Sequence, residues 1–438
     1  MKKKKLKTSE VIYSENSIQH FQDTDAIRVR PHMFIGHLGL PGVFHLFIEA
    51  IANSLDEYRS GNCTEIYVDL NEKKNIIMIK DNGRGIPQKA LETVLTRNHS
   101  GGKFDDKAYY NYSIGLNGIG LKLINALSDS TIVITKRDGY CFKQEFSKGK
   151  PTSELEKLEK TKETGTIVSF HPDIEILKEI DFDADTFLPF CEQLTFLNKN
   201  LKIVFHATKK NGKEINKVFQ SKYGIKDFLD KINPNKIKNL NSIQFSKKES
   251  EMEAEIVFTY QQGDSELIRS FINGGMETKE HGTHVTAFKM ALTQVLNKYI
   301  QDKNLLPKKD KIEITGDDVR EGLIAIVDVK HKNPEFTGQT KEKLSNTDIM
   351  GLIKKLLLKE LPIYLDKNKN DSKIILDKII LSAKGRMAAK KAKASIIKQS
   401  ENVLTGLNKI SRFIPCSSRD KNLNELLLIE GKMPICSH

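Results

Sequence analysis

Apolar residues return at helical spacing in the first strongly patterned segment of the chain, between Val43 and Tyr58. The positions repeat every three to four residues, at Phe44, Phe47, Ile48, Ile51 and Leu55. This spacing predicts an amphipathic helix. The next two apolar segments, Glu65 to Leu70 and Ile76 to Lys80, predict two strands joined by a short polar turn.

The pattern resumes after a glycine-rich stretch at residues 98–120. Further strands are predicted at Thr131 to Thr135 and Gly165 to Phe170, which gives a mixed α+β arrangement with helices on one side of a sheet. Around residues 206–250 the composition shifts toward Lys, Asn and Ser, with several turn signals. That shift predicts a domain boundary near residue 225.

A second α/β region is predicted downstream, with strands at Glu253 to Thr259 and Gly322 to Val329 and a helix at 285–301. A long helical stretch begins near Asn346. From Ile379 to Ser400 it carries no acidic residue and six basic ones, Lys384, Arg386, Lys390, Lys391, Lys393 and Lys398. Such a face either contacts DNA phosphates or is only solvated, and the lack of acidic residues favours phosphate contact.

The length of 438 residues suggests roughly two to three domains with an ample buried core. Apolar stretches such as Leu323 to Val327 are far shorter than the ~20 residues that a membrane helix needs. The basic residues of Met1 to Lys7 are not followed by the apolar run of a signal peptide. We therefore expect a cytoplasmic protein without a membrane partner.

Five cysteines are scattered along the chain without CxxC spacing. Their arrangement indicates neither a zinc site nor a disulfide framework. The formal net charge of +13 is compatible with a polyanionic partner such as DNA. Because lysine is spread over the whole chain, composition alone explains the charge equally well.

A first candidate for chemistry lies on the helix predicted between Val43 and Tyr58. Glu49, Asn53 and Asp56 stand at positions i, i+4 and i+7, and therefore on one face. A carboxylate and an amide one turn apart can hold an attacking water and a magnesium ion together, since magnesium prefers oxygen ligands. By itself, the same pattern is also that of an ordinary polar helix face.

Two glycine-containing segments add further candidates. In Asp81 to Pro87, two glycines let the backbone approach a flat ligand, and the Asp81 carboxylate can accept a hydrogen bond from an amine such as that of adenine. An ordinary turn has the same composition. The loop Gly115 to Gly120 runs into a predicted helix at Leu121 to Leu127 and can present backbone N–H groups to phosphate. It lacks the lysine of a Walker loop and the preceding strand of a dinucleotide fold.

The order of these segments, EAIANSLDE, DNGRGIP and GLNGIG, resembles the Bergerat ATP-binding fold of gyrase, heat-shock chaperones, histidine kinases and mismatch-repair ATPases. The resemblance implies that Glu49 is the general base toward the attacking water and that Asn53 holds magnesium. It also implies that Asp81 binds adenine together with Thr166. The further nucleotide contacts that it implies are Asp56, Gly83, Gly85, Ile86, Gly101, Gly102, Lys103, Gly115, Leu116, Asn117, Gly118, Ile119 and Gly120.

Further segments resemble the B subunits of type II DNA topoisomerases, both gyrase and topoisomerase IV. They are Arg30 to Gly36, Ser270 to Asn273, Gly282 to His284, Arg320 to Ala325, and Gln339 to Lys341. The resemblance implies that Tyr13, in an N-terminal arm, reaches the nucleotide of a second copy of the chain. It implies that Gln339 and Lys341 contact the γ-phosphate, where Lys341 would offset transition-state charge. The segment from Ser113 to Ser128 is more similar to topoisomerase IV than to gyrase.

The fold expected from this resemblance is α+β, a Bergerat (GHKL) ATPase sandwich followed by a ribosomal-protein-S5-like α/β transducer domain. The expected organisation is an arm at 1–26, the ATPase domain at 27–225, the transducer at 226–402 and an incomplete TOPRIM opening at 403–438. The expected cofactors are ATP and Mg²⁺. The expected partners are a second copy of the chain, a topoisomerase A subunit and double-stranded DNA in the nucleoid.

The C-terminal segment departs from the family pattern. Glu430 matches the first metal-binding carboxylate of TOPRIM, but the family continues with Asp-Ser-Ala-Gly-Gly where this chain reads Lys432 to His438. DNA cleavage needs the later acidic pair, so we expect no cleavage by this chain alone. Ala52 and Ile114 also depart from the family pattern, without touching the predicted base or the core glycines.

The favoured interpretation is a clamp in which ATP binding drives two chains to dimerise around DNA and hydrolysis resets them. One alternative is another ATPase of the same fold, of the chaperone or mismatch-repair type, against which the segment Gln339 to Lys341 argues. A second alternative is a remnant that binds ATP or DNA without turnover. The presence of Glu49, Asp81, Gly118 and Lys341 argues against that second alternative.

Overall fold

The computed structural model describes residues 23–97, 112–114, 118–306, 312–338 and 342–407, together with Ser418, Asp420, Asn422 and Glu425. From 399 to 407 only the helical backbone is described. Several residues of the predicted site lie outside the described residues: Tyr13, Gly101, Gly102, Lys103, Gly115, Leu116, Asn117, Gln339, Lys341 and Glu430. Their roles stay predictions.

Among the described residues, nine strands form the first sheet: β1 (Glu65–Asn71), β2 (Ile76–Asp81), β3 (Ser128–Arg137), β4 (Tyr140–Ser147), β5 (Lys150–Pro151), β6 (Glu156–Lys160), β7 (Gly165–Pro172), β8 (Lys202–Thr208) and β9 (Glu214–Phe219). Their order is β5–β4–β3–β7–β2–β1–β8–β9, and β6 pairs with β4. The pair β1 and β8 is parallel, whereas the pairs around β2 and β3 are antiparallel. Burial alternates along β1 and β8, as in a sheet with one covered face.

Helices pack against the buried face of this sheet: α1 (Asp23–Val29), α2 (His32–Ile35), α3 (Leu40–Arg59), α4 (Leu91–Thr96), α5 (Gly120–Ala126), α6 (Ile174–Leu177) and α7 (Leu188–Leu197). The predicted helix is confirmed as α3, whose apolar face is buried at Val43, Leu46, Phe47, Ile51 and Leu55. The Phe47 ring meets that of Phe187 edge-on, with centroids 4.8 Å apart. The first sheet and these helices form what we call the N-terminal unit.

The chain is already helical at α1, where the sequence suggested an extended arm to about residue 26. Ile27 is fully buried in the core of the N-terminal unit. Arg28 donates to the carboxylate of Asp173 at 2.8 Å and to the carbonyl oxygen of Ala126 at 2.7 Å. These distant partners hold the segment as a helix, and local sequence patterning does not reveal them.

The second sheet has five strands in the part of the chain that the structure describes: β10 (Ile243–Glu249), β11 (Met252–Tyr260), β12 (Leu267–Ile272), β13 (Met276–Glu277) and β14 (Leu323–His331). The order is β10–β11–β14–β12–β13. The helices around it are α8 (Ile225–Ile232), α9 (Thr283–Asp302), α10 (Gly316–Arg320), α11 (Asp348–Lys367) and α12 (Lys369–Leu407). These elements, called the C-terminal unit, confirm the predicted strands as β11 and β14 and the predicted helix as α9.

The two units share an apolar contact near the predicted boundary at residue 225. Leu197 of α7 lies in one buried cluster with Phe228 of α8, Phe271 of β12 and Ile324 of β14. Within the described ranges, no helix is long and apolar enough to cross a bilayer. The mixed α+β class predicted from the sequence is confirmed.

The basic helix is described as α12. Its residues from Lys390 to Lys398 are all exposed. Arg386, however, is bound within the C-terminal unit, because its Nε donates to the carboxylate of Asp318 at 2.8 Å. The basic surface is therefore formed by the lysines, and Arg386 instead fixes α12 to α10.

Candidate active site

A cavity of about 1560 Å³ lies between α3, the turn that follows β2, and the start of α5. It is lined by the predicted site residues Glu49, Asn53, Asp81, Gly85, Ile86, Gly118, Ile119, Gly120 and Thr166. The C-terminal unit completes the wall with Arg269, Gly275, Met276, Glu277, Lys279 and Glu342. The structure thus brings the three sequence segments to one cavity, which is large enough for a nucleotide.

Asp81 ends β2 on the cavity wall, and three donors hold its carboxylate. Oδ1 accepts the N–H of Gly83 at 2.9 Å and the N–H of Thr166 at 3.3 Å. Oδ2 accepts the hydroxyl of Ser54 at 2.9 Å. These donors come from α3, from the turn after β2 and from β7. The fold therefore sets the orientation of the carboxylate before a ligand arrives.

The ionisation of Asp81 suits an acceptor role. Burial raises the pKa of this carboxyl to about 6, against the lowering effect of the hydrogen bonds from Gly83, Ser54 and Thr166. At pH 7 the group is therefore mostly ionised and accepts hydrogen bonds. A buried carboxylate gains from one more donor, and a flat base with an exocyclic amine supplies one.

The turn after β2 is closed onto β3. Gly85 has φ of 76°, and a methyl group there would lie 2.6 Å from the carbonyl oxygen of Lys136. The Ile86 N–H donates to the Thr135 hydroxyl at 2.8 Å, and Arg137 donates to the Gly85 carbonyl oxygen at 2.9 Å. Only glycine fits this position, and the turn places Ile86 on the wall beside Asp81.

A second polar group lies on α3. Oε1 of Glu49 is 3.6 Å from Nε2 of His45, one turn earlier on the helix. One turn later, Asn53 donates from Nδ2 to the Glu49 carbonyl oxygen at 2.9 Å. Three polar side chains of one helix face therefore meet at the cavity, and the carboxylate of Glu49 is a group able to accept a proton there.

The start of α5 lies directly against Glu49. A methyl group at Gly120 would be 2.4 Å from Glu49 Oε2, so that the carboxylate would have to move. Lys122 is buried, lines the same cavity and donates from Nζ to the carbonyl oxygen of Gly118. Its ammonium group brings positive charge to the loop where the sequence predicts phosphates.

The donor set fits a magnesium ion that arrives with a nucleotide. Within the ranges that the structure describes, no group of three or more His, Cys, Asp or Glu side chains is arranged to hold a metal alone. Because Nδ2 of Asn53 donates to a carbonyl oxygen, Oδ1 is the atom of this amide that would bind the ion. Magnesium commonly takes few protein ligands and completes its shell with phosphate oxygens and water.

Two residues of the predicted set lie behind the cavity wall. Asp56 is buried, and its carboxylate accepts the Ser113 hydroxyl at 2.7 Å and the Ile114 N–H at 2.9 Å. It therefore fixes residues 112–114 to α3 and is not among the residues that line the cavity. Gly83 donates to Asp81, so it supports the acceptor.

Sequence reasoning missed other polar lining residues, among them His45, Ser54, Glu57 and Lys122. His45 precedes Glu49 by one helical turn, so the spacing that links Glu49 to Asn53 also indicates it. Glu57 forms an ion pair with Arg84, with Oε1 and Nη2 2.9 Å apart. No sequence signal marks Lys122, because its position at the cavity depends on how α5 packs.

The segment Gln339 to Lys341 lies outside the described residues. The residues before and after it, 335–337 and 343–345, form an antiparallel pair that we call the hairpin. The Ser345 N–H donates to the Glu335 carbonyl oxygen at 2.9 Å, and the Thr337 N–H donates to that of Lys343 at 3.1 Å. Glu342 lines the cavity. The second segment of the hairpin therefore starts beside the site.

Two protein families match successive parts of the chain. The family described as histidine kinase-, DNA gyrase B-, and HSP90-like ATPase matches residues 40–176, and the family described as DNA gyrase B matches residues 224–395. The DNA gyrase B protein of Thermotoga maritima is 38% identical over 435 residues, which cover 96% of this chain and 67% of the relative. That of Clostridium acetobutylicum is 37% identical over 431 residues, which cover 96% and 66%.

Solved structures are similar over most of the fold. The 43K ATPase domain of Thermus thermophilus gyrase B, in complex with an aminocoumarin, has a TM-score of 0.71 and 32% identity, and 85% of this chain matches 97% of that chain. The topoisomerase IV ATP-binding domain of Francisella tularensis, in complex with a small-molecule inhibitor, has a TM-score of 0.68 and 28% identity, covering 84% and 98%. This chain spans between 54% and 67% of the length of its curated relatives. The predicted GHKL ATPase fold is confirmed.

Proposed function

The chain belongs to the DNA gyrase B family, and on that basis we propose that it binds and hydrolyses ATP as the dimer clamp of a type II DNA topoisomerase. One observation carries the proposal. A single cavity has a fixed, buried hydrogen-bond acceptor, Asp81, on one part of its wall and a proton acceptor, Glu49, on another. ATP needs both, an acceptor for its base and a general base for the water that attacks its γ-phosphate.

In this proposal, the two ends of the nucleotide are bound by different residues. The exocyclic amine of adenine donates to the Asp81 carboxylate, which Ser54 and Thr166 already hold. Gly118 and Lys122 then lie toward the phosphates, where the ammonium group of Lys122 offsets their charge. The residues Gly101, Gly102, Lys103 and Gly115 to Asn117 complete the phosphate contacts in this proposal.

Hydrolysis is a proton transfer coupled to phosphoryl transfer. Glu49 accepts a proton from water as the water oxygen bonds to the γ-phosphorus, and the bond from that phosphorus to the bridging oxygen of ADP breaks. His45 keeps the Glu49 carboxylate oriented. Asn53 would hold a magnesium ion bound with ATP, which would neutralise charge on the phosphate oxygens. Gln339 and Lys341 are proposed to contact the γ-phosphate from the C-terminal unit.

Other parts of the chain are proposed to serve dimerisation and DNA contact. Tyr13, in the proposed arm, would reach the nucleotide of a second copy of the chain, so ATP and the dimer stabilise each other. The exposed lysines Lys390, Lys391, Lys393 and Lys398 of α12 give a surface for double-stranded DNA, and contacts to phosphate by such residues weaken with salt. A topoisomerase A subunit is the proposed partner for strand passage, with the cytoplasmic nucleoid as the place of action.

The test is the rate of magnesium-dependent ATP hydrolysis over a range of protein concentrations. We expect turnover to rise faster than linearly with concentration, since two chains are needed, and to be lost in Glu49→Ala. Loss of a positioned base typically costs about 10²- to 10⁴-fold in rate. Wild-type turnover no higher than that of the variant would favour a non-catalytic nucleotide- or DNA-binding role instead.

A further inference from the structure

The turn between β12 and β13 joins the two units beside the cavity. Asn273 is buried, and its φ of 49° lies in the left-handed region. Its main-chain N–H donates to the carbonyl oxygen of Val329 on β14 at 2.8 Å. A methyl group at Gly275 would lie 2.4 Å from Cδ1 of Ile114, so this turn is packed directly against residues 112–114 of the N-terminal unit.

The Asn273 side chain bridges three elements. Its Nδ2 donates to the carbonyl oxygen of Ser113 at 2.8 Å and to that of His331 at 3.1 Å. Its Oδ1 accepts the N–H of His331 at 2.9 Å. All three hydrogen bonds are buried, and leaving a buried polar group unpaired is costly. The Asn273 amide therefore ties the end of β14 to residues 112–114. In the sequence, these residues lie between the two proposed phosphate-binding segments, Gly101 to Lys103 and Gly115 to Gly120.

From Ser113 the contacts continue to the helix that carries the proposed base. The Ser113 hydroxyl and the Ile114 N–H both donate to Asp56. Asp56 and Glu49 lie two turns apart on α3, a rigid element. Arg59, also on α3, donates to the carbonyl oxygen of Tyr112 at 3.3 Å. Residues 112–114 are therefore fixed to α3 on one side and to Asn273 on the other.

From His331 the contacts continue to the hairpin. The Asn333 N–H donates to Nδ1 of His331 at 3.0 Å. The Glu335 N–H donates to Oδ1 of Asn346 at 2.7 Å, and the Asn346 amide donates to the Asn333 carbonyl oxygen at 3.2 Å. These bonds fix the base of the hairpin relative to the end of β14, and in the sequence the two segments of the hairpin flank Gln339 and Lys341.

We propose that Asn273 is a positioning residue for ATP hydrolysis, which holds the paired residues 335–337 and 343–345 at a fixed place relative to the helix that carries Glu49. In the sequence, these two segments flank Lys341. The inference rests on the proposed function. Asn273 is not among the residues that line the cavity, so it acts through Ser113 and His331. Reacting groups must meet within about 3–3.5 Å, and a misplacement of about 1 Å can cost about a hundredfold in rate.

The first test is the steady-state rate of ATP hydrolysis by Asn273→Gly. Glycine removes the bridging amide and still adopts the positive φ without strain. We expect kcat to fall about tenfold, while nucleotide affinity stays within about twofold of wild type. Lys199→Ala is the matched control, because it removes another contact between the two units, the ion pair to Glu255 at 2.5 Å, and should leave kcat unchanged.

The second test separates positioning from general destabilisation by placing Asn273→Gly in a Lys341→Ala background. If Asn273 acts by placing Lys341, the substitution lowers kcat by less than about twofold there, because coupled residues are not additive. Equal losses in both backgrounds, or a wild-type kcat for Asn273→Gly, would overturn the proposal.

Asn273→Asp is the second variant, in case the glycine variant does not fold. It keeps the oxygen that accepts the His331 N–H and replaces the group that donates to the carbonyl oxygens of Ser113 and His331. We expect the same loss of kcat, and a wild-type kcat would contradict the bridge. Absence of turnover in the wild-type protein would instead overturn the proposed function, so the two failures are distinguishable.

Discussion

The wall around Asp81 and the wall around Glu49 belong to one cavity but are built differently. Around Asp81, the donors Ser54, Gly83 and Thr166 all belong to the N-terminal unit and are already in place. Besides Glu49, the cavity lining includes residues of the C-terminal unit, such as Lys279 and Glu342. From this difference we propose that base recognition is a property of one unit, whereas turnover depends on how the two units are placed.

We call the wall around Asp81 the first wall and the wall around Glu49 the second wall. The largest effect of a change in the first wall alone is expected for Asp81→Asn. The amide no longer offers a charged acceptor to the adenine amine, and hydrogen bonds to charged groups contribute about 1.5–3 kcal/mol, so ATP affinity should fall about 10- to 100-fold. Calorimetric titration with a non-hydrolysable ATP analogue measures this. Asp69→Asn, the same change on the neighbouring strand β1, is the control, and an unchanged affinity for Asp81→Asn would refute base recognition by this residue.

A smaller effect on the second wall is expected for Gly120→Ala. The added methyl group would lie 2.4 Å from Glu49 Oε2, so the carboxylate is displaced. We expect kcat to fall about tenfold, since a misplacement of about 1 Å can cost up to about a hundredfold in rate. Gly351→Ala adds a methyl group in open space on α11 and serves as control. Equal kcat values for the two variants would mean that Glu49 does not act from this position.

The pH dependence of binding should also separate the walls. Because burial raises the pKa of Asp81 to about 6, the carboxyl gains a proton and loses its charge as pH falls through that value. ATP affinity is then expected to be about tenfold weaker at pH 5 than at pH 7. In Asp81→Asn this loss should vanish, and a dependence of equal size in the variant would assign the titration to another group.

The smallest effect is expected for His45→Gln. The pair of His45 and Glu49 is partly exposed, with Nε2 and Oε1 3.6 Å apart, and such pairs contribute about 0.2–1 kcal/mol, so kcat should fall about two- to fivefold. ATP affinity should not change. His206→Gln removes a comparable contact to Asp69 outside the cavity, and a similar loss in that control would count against an orienting role for His45.

Periodicity was sufficient to predict the elements that carry the first wall. Helix α3 and strands β1 and β2 follow from spacings of about 3.6 and 2 residues. Their side chains lie on the faces that the local pattern predicts. The place of Asp81 at a strand end left an ordinary turn open, and only the family resemblance implied that it binds adenine. The spacing that identified Asn53 from Glu49 applies equally one turn earlier, so His45 was within reach of the same reasoning.

The contacts behind the second wall could not be predicted in this way. Asp56 shares the polar face of α3 in sequence, yet it bonds to Ser113 and Ile114, more than 50 residues away. Asn273 is recognisable in sequence only as part of a family motif, and its bridge to Ser113 depends on how two sheets pack. Long-range packing decides these roles, and local patterning carries no information about it.

The central claim is that binding and turnover belong to different walls, and the most direct test is the ATP affinity of Glu49→Gln, measured with its turnover. We expect an affinity within about threefold of wild type together with a loss of turnover of about 10²- to 10⁴-fold. An affinity that falls in step with turnover would contradict the central claim, because Glu49 would then contribute to binding as much as to reaction.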